Sequence, residues 1–174
     1  MSDNESIKTL TNDAALQHCL DAAYRYLRYR PRSEAEIKQR LHQRSFDNEV
    51  VEKAIAKLKE QNLIDDFAFA QFWKNNRLSF KPKSKTLIAR ELRNKNVAPE
   101  IIEEITSDID DESNAYELGR RRIRVLAPLE YPEFHRLLSS HLGYHGFNYE
   151  VTKRAVALLW REKENCTHGS KGMV

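Results

Sequence analysis

Asp65 and Asp66 stand side by side, and an adjacent carboxylate pair could hold a divalent metal for phosphodiester cleavage. At the start of a helix the same pair is better explained as a cap and a partner for the positive end of the helix dipole. His141 and His145 are four apart, which on one continuous helix would put both imidazoles on a common face. Gly143 and Gly146 argue against such a helix, and the sequence offers no third ligand, so no metal site is expected. The acidic run Asp108, Asp110, Asp111 and Glu112 has no histidine near it and reads as a solvated linker or an internal counter-charge. GxSxG, HExxH and a glycine-rich phosphate loop are absent, and five glycines in 174 residues exclude a P-loop. No catalytic residue and no cofactor are expected; the chain reads as a non-enzyme.

What remains is cationic chemistry. From Lys74 to Lys95 eight basic residues stand against Glu91 alone, a net of +7, whereas Glu100 to Glu112 carries −7. A second basic stretch, Arg25 to Arg44, nets +5, and a third is the compact Arg120-Arg121-Arg122 with Arg124. Clustered Lys and Arg can neutralise phosphates or dock an acidic protein surface; singly, each cluster could equally be a solvated helix face. Tyr24, Tyr26 and Tyr29, interleaved with Arg25, Arg28 and Arg30, resemble the stacking-plus-phosphate pattern of a single-strand binder. Helical spacing sends them to different faces, so the preferred reading packs at least one inside. Trp73, Phe72 and Trp160 are core candidates on the same reasoning.

The elements that position these groups follow from the rest of the 174 residues. With 40% hydrophobic and 32% charged residues, the chain has enough apolar material for a core. No apolar run reaches the ~20 residues of a membrane span, and the first residues lack a secretory signal, so a cytoplasmic protein is expected. Cys19 and Cys166, far apart with no CxxC spacing, are expected as reduced thiols.

The chain resembles itself. Ile37, Leu41, Phe46, Val50, Val51 and Leu58 shifted by 51 become Ile88, Leu92, Val97, Ile101, Ile102 and Ile109. A further 50 gives Leu138, Leu142, Phe147, Val151, Thr152 and Leu159, with one apolar position lost. Within each copy the spacing is helical, and no segment alternates convincingly enough for a strand. Ser45, Asn96 and Gly146 fall at equivalent positions where a left-handed residue closes a helix. Asp47 and Asn148 can cap the following helix, Pro99 suits a first helical position, and Ser33 with Glu36 forms a capping box. A preceding helix is expected at 13–30, 66–78 and 113–126.

The expected fold is therefore all-α: nine helices in three tandem three-helix repeats, forming an elongated, curved helical array. The expected boundaries are a flexible leader at 1–12, repeats at 13–64, 65–111 and 112–162, and a disordered tail at 163–174. A long basic surface on such an array suits a long partner, a filament or a nucleic acid.

These residues resemble the RecX family of regulators of the RecA recombinase. The similarity lies in Leu27 to Leu41, with Arg32-Ser33 and Glu36-Ile37 leading into Arg40-Leu41, in Leu63-Ile64-Asp65-Asp66-Phe67-Ala68-Phe69-Ala70, and in Lys81-Pro82-Lys83-Ser84 with Glu91-Leu92 and Lys95-Asn96-Val97. Tyr144-His145-Gly146-Phe147 extends it into the third copy, and together it spans about residues 19 to 161. The chain departs from many relatives at Phe80, where a Gly is common, and at Ala127-Pro128-Leu129.

The resemblance implies binding to the RecA filament, mainly inhibitory toward recombinase, ATPase and coprotease activities, within DNA repair, recombination and the SOS response. The residues expected to contact filament or DNA, single- or double-stranded, are Lys81, Lys83, Lys85, Arg90, Arg93, Lys95, Arg121, Arg122, Arg124, Arg28, Arg30 and Arg32. A monomer with no membrane partner is expected. The competing classes are a direct DNA-binding helical protein without a recombinase partner, and a metal-dependent nuclease using Asp65 and Asp66.

Overall fold

The computed structural model describes the backbone of residues 2–169 and the side chains of residues 13–165. The leader expected at 1–12, Cys166 and most of the tail expected at 163–174 lie outside the described side chains. The described residues form ten helices and no strand: α1 Ser2–Leu27, α2 Glu34–His42, α3 Asn48–Glu60, α4 Asp66–Phe80, α5 Lys85–Arg93, α6 Pro99–Thr106, α7 Asp111–Arg120, α8 Ile123–Leu126, α9 Tyr131–Tyr144 and α10 Tyr149–Gly169.

Ten replaces the expected nine because the helix anticipated over 113–126 is split into α7 and α8. Gly119, a weak helix former, precedes three consecutive arginines, and Arg122 N–H turns back to the Gly119 carbonyl at 2.9 Å. The α6 helix also stops early, so Ile109, expected to match Leu58, lies beyond it and is half-buried.

Turn chemistry explains most helix ends. Ser45, Asn96 and Gly146 have φ of 61°, 54° and 86°, the left-handed conformation their shared position predicts. Asn62, at φ 55°, closes α3 in the same way. At the other ends, the Ser33 hydroxyl accepts from Glu36 N–H while the Glu36 carboxylate accepts from Ser33 N–H, a complete capping box. Asn148 accepts from Val151 N–H at 2.9 Å, whereas the Asp47 side chain makes no capping bond.

The chain divides into two compact units, one running up to Trp73 and including Leu92–Ile105, the other comprising Lys74–Glu91 and the chain from Thr106 on. In the first, Leu20 and Ala23 of α1, Ile37 and Leu41 of α2, and Val51 and Leu58 of α3 pack into one apolar core. In the second, Leu118 of α7, Phe134, Leu138 and Leu142 of α9, and Val156 and Leu159 of α10 do the same. Each of these side chains is fully or almost fully buried, which stabilises by roughly 1.5–3 kcal/mol apiece for all but the smaller Ala23.

One contact occurs in both units at positions matched by the sequence shift. The buried Ser33 hydroxyl donates to the Lys95 carbonyl at 2.9 Å, and the buried Ser84 N–H donates to the His145 carbonyl at 3.0 Å. Beside each lies a carboxylate from a later helix: Asp66 accepts from Glu34 N–H at the start of α2, and Asp111 from Lys85 N–H at the start of α5. The acceptors satisfy helix N–H groups that have no partner within their own helix. Burial raises the pKa of both carboxyls above the usual Asp range, against the lowering effect of those N–H groups.

Candidate functional site

The acidic and histidine motifs are absorbed by the fold. Asp65 accepts from Phe67 and Ala68 N–H at 2.8 and 3.0 Å and so caps α4. Asp108 binds the buried Lys74 ammonium through both oxygens at 3.0 Å, and Asp110 caps α7 through Glu112 and Ser113 N–H. The acidic run is thus counter-charge and cap rather than linker. Its Lys74 hydrogen bond holds the Asp108 carboxyl below the usual range. Contrary to the expectation of a broken helix, α9 continues through Gly143 to Tyr144, and the His141 and His145 rings lie 4.9 Å apart. His145 is buried with Nδ1 3.0 Å from the Pro82 carbonyl, a structural role. Burial pushes both imidazoles down, and the Lys81 and Arg122 charges add to the effect. Among the described residues no three His, Cys, Asp or Glu side chains converge in a way that would hold a metal.

The aromatic residues separate by environment. Tyr24 is half-buried and donates to Gln61 at 2.9 Å; Tyr26 is half-buried beneath the Arg32 guanidinium, 4.0 Å from its ring centroid; Tyr29 is 83% exposed. Trp160 packs edge-on against Phe134 at 5.2 Å but is half-buried, with the Lys163 ammonium 4.0 Å from its ring. Trp73 does not sit wholly in the core: it is half-buried, with Arg30 and Lys95 at 5.9 and 5.3 Å from its ring.

The twelve basic residues singled out from sequence fall into two sets. In the first unit, Arg30 and Lys95 each bind the Glu36 carboxylate at 2.8 Å, and Arg32 lies 3.9 Å from it. In the second, Lys83 and Arg77 both pair with Glu91, and Arg121 donates to the Phe80 carbonyl at 2.8 Å. These cations hold the fold. Arg28 and Arg93 of the first unit, and Lys81, Lys85, Arg90, Arg122 and Arg124 of the second, are exposed and form no salt bridge among the described residues. The Arg121 bond to residue 80 brings the stretch after Phe80 beside Arg122, so two clusters separated in sequence share one region of the second unit.

Sequence reasoning gave no contact role to Phe80 and Tyr144, which are 73% and 85% exposed in that same unit. Their neighbours in sequence, Lys81 and His145, were the available signal. Arg40 and Arg44 were also left out of the candidate set, although their spacing of four places them near one face around α2.

Fold and surface together define an all-helical protein of recurring three-helix units that presents unpaired cations and exposed aromatic rings. A family model described as the first three-helix domain of RecX matches residues 19–58, and one for the second three-helix domain matches residues 65–105. A Regulatory protein RecX of Chlorobaculum tepidum is 31% identical over 144 residues, 83% of this chain and 89% of that protein. One of Amycolatopsis mediterranei is 34% identical over 134 residues, 73% and 77% of the two chains. The crystal structure of RecX from Lactobacillus salivarius shares the fold with a TM-score of 0.72 at 19% identity, covering 84% of this chain and 97% of that one. A second crystal structure, of a regulatory protein RecX, gives 0.73 at 22% identity over 88% and 77%. The chain belongs to the RecX family.

Proposed function

We propose that this chain is a non-enzymatic cytoplasmic regulator that binds the RecA–DNA filament as a monomer and mainly inhibits its recombinase, ATPase and coprotease activities. Family membership supports the regulatory class. The observation that carries the binding mode is the set of exposed cations left after the fold has used its own: Lys81, Lys85, Arg90, Arg122 and Arg124 in one unit, Arg28 and Arg93 in the other. Such cations can touch phosphates and acidic protein at once, and they cost the fold little when changed. Lys83, Lys95, Arg30, Arg32 and Arg121 contribute by holding the surface rather than by contacting the partner.

The test is the single-stranded-DNA-dependent ATPase of RecA with substoichiometric added protein. The wild-type chain lowers the rate. Reversing Lys81, Lys85, Arg122 and Arg124 to Glu raises the concentration needed by about tenfold at moderate salt. Unchanged inhibition by that variant rejects the surface. Binding to naked DNA that is equal with and without RecA, with no effect on the ATPase, replaces the reading by that of a direct DNA-binding protein.

A further inference from the structure

Three cavities of the first unit share lining residues and so lie side by side. The middle one, about 230 Å³, is floored by the buried Ala22, Ala23, Ile37 and Leu41, where α1 crosses α2. Tyr26 and Tyr29 form its wall, and Arg25, Arg40 and Arg44 stand at its exposed edge. On the other side of Ala22, Arg25 and Arg44 lies a cavity of about 260 Å³ that reaches His18 and Phe46. On the other side of Tyr26 and Arg40 lies one of about 490 Å³ whose lining includes Gln39, Gln43, Asn94, Lys95 and Asn96.

The charges and the surfaces name the occupant. Arg25, Arg40 and Arg44 form no salt bridge among the described residues; Arg40 bonds the neutral Gln43 and lies 5.7 Å from the centre of the Tyr26 ring, and Arg25 bonds its own helix carbonyl at Asp21. The carboxylates along the groove are Asp21, at the far cavity, and Glu36, whose charge is met by Arg30 and Lys95. An apolar floor beside a tyrosine wall accepts a flat aromatic ring, and arginines at the rim accept the phosphates on either side of it. One face of Tyr26 is taken by Arg32, so Tyr29 supplies the open ring. A duplex offers a base to such a pocket only by breaking its pair and its stacking, whereas a single strand offers one without that cost. The row of adjoining cavities, with side-chain amides along the 490 Å³ one, suits a chain of nucleotides.

We propose that this groove binds single-stranded nucleic acid, with one unstacked base in the middle cavity against Tyr29 and the flanking phosphates on Arg25, Arg40 and Arg44. The proposal does not depend on the filament reading, since none of these residues belongs to the cation set invoked there.

The experiment titrates the full chain into a single-stranded oligothymidylate carrying one 2-aminopurine. Binding quenches the probe. Tyr29→Ala lowers affinity on the order of tenfold and removes the quench, while Tyr29→Phe retains both. Arg40→Ala with Arg44→Ala reduces the log–log salt slope by about 1.4. A duplex of the same length is bound equally by wild type and Tyr29→Ala. An unchanged affinity and quench in Tyr29→Ala overturns the proposal, as does an equal loss for the duplex. Displacement by adenosine monophosphate as readily as by unlabelled strand makes the site a mononucleotide pocket instead, and displacement by polyglutamate makes it an acidic-peptide site; either rejects the strand.

Discussion

Replacing Gly146 by alanine lowers the unfolding free energy by about 3 kcal/mol, read as a shift of the urea midpoint at unchanged slope. Two costs combine. At φ 86° the backbone is left-handed, which an L side chain resists. A Cβ there would also lie 2.6 Å from the Ser84 hydroxyl oxygen and 2.7 Å from the Leu87 Cβ, neither of them the far end of a flexible chain. Asn96 occupies the matching position and tolerates its side chain because that junction is made differently. Ser33 reaches Lys95 with its hydroxyl, whereas Ser84 uses its backbone N–H and so brings the main chains closer. Gly143→Ala is the control: nothing lies within 4 Å of its added methyl and it sits inside α9, so stability rises by up to about 1 kcal/mol. Equal losses at the two glycines would show that crowding against Ser84 is not the cause.

The contrast between Gly146 and Asn96 marks how far the amino-acid sequence could be read. A helix stop is a local property, so Ser45, Asn96 and Gly146 were legible from residue type and shared spacing, as was the Ser33–Glu36 box. The apolar shift by 51 and 50 placed Ile37, Ile88 and Leu138 in buried positions for the same reason: burial follows a helical period that the sequence carries. Charges are different. Whether a lysine faces solvent depends on which carboxylate the fold brings to it, and the partner of Lys95 is 59 residues away. The basic stretches therefore looked uniform, yet Lys83 and Lys95 serve the fold while Lys81 and Lys85 stand exposed. The rings show the same limit: Trp73 has the composition of a core residue but lies half-buried beside two cations. The groove beside Tyr29 depends on the crossing of α1 and α2, which no local spacing encodes.

Glu36 is where that long-range pairing has its largest consequence. Its carboxylate, 11% exposed, meets Arg30 and Lys95 at 2.8 Å and closes the capping box of α2. Burial alone would raise its pKa, but the Arg30 and Lys95 hydrogen bonds and charges outweigh that and bring it down to about 2 from 4.5. A carboxyl whose folded value lies below its unfolded one stabilises fully above the unfolded value and loses that contribution as pH falls from 4.5 toward 2. The gap corresponds to roughly 3 kcal/mol. Glu36→Gln keeps the shape but leaves Arg30, Arg32 and Lys95 crowded without a counter-charge, so at neutral pH it destabilises by about 3 kcal/mol. At pH 3 its deficit relative to wild type shrinks by roughly half, because the wild-type carboxylate is itself losing its advantage. Asp66 and Asp111, raised by burial, change in the opposite sense, so the comparison with Glu36→Gln, rather than the acid limb of the wild type alone, isolates this site. A deficit independent of pH would mean that Glu36 acts through its capping bonds and not through its charge. The substitution also releases Arg30 and Lys95 from their partner, so under the proposed strand binding the affinity for oligothymidylate is expected to rise as folding stability falls. That opposition is expected wherever one carboxylate holds cations that a phosphate could also claim, and measuring both quantities on the same variant separates the charges that build the surface from those that use it.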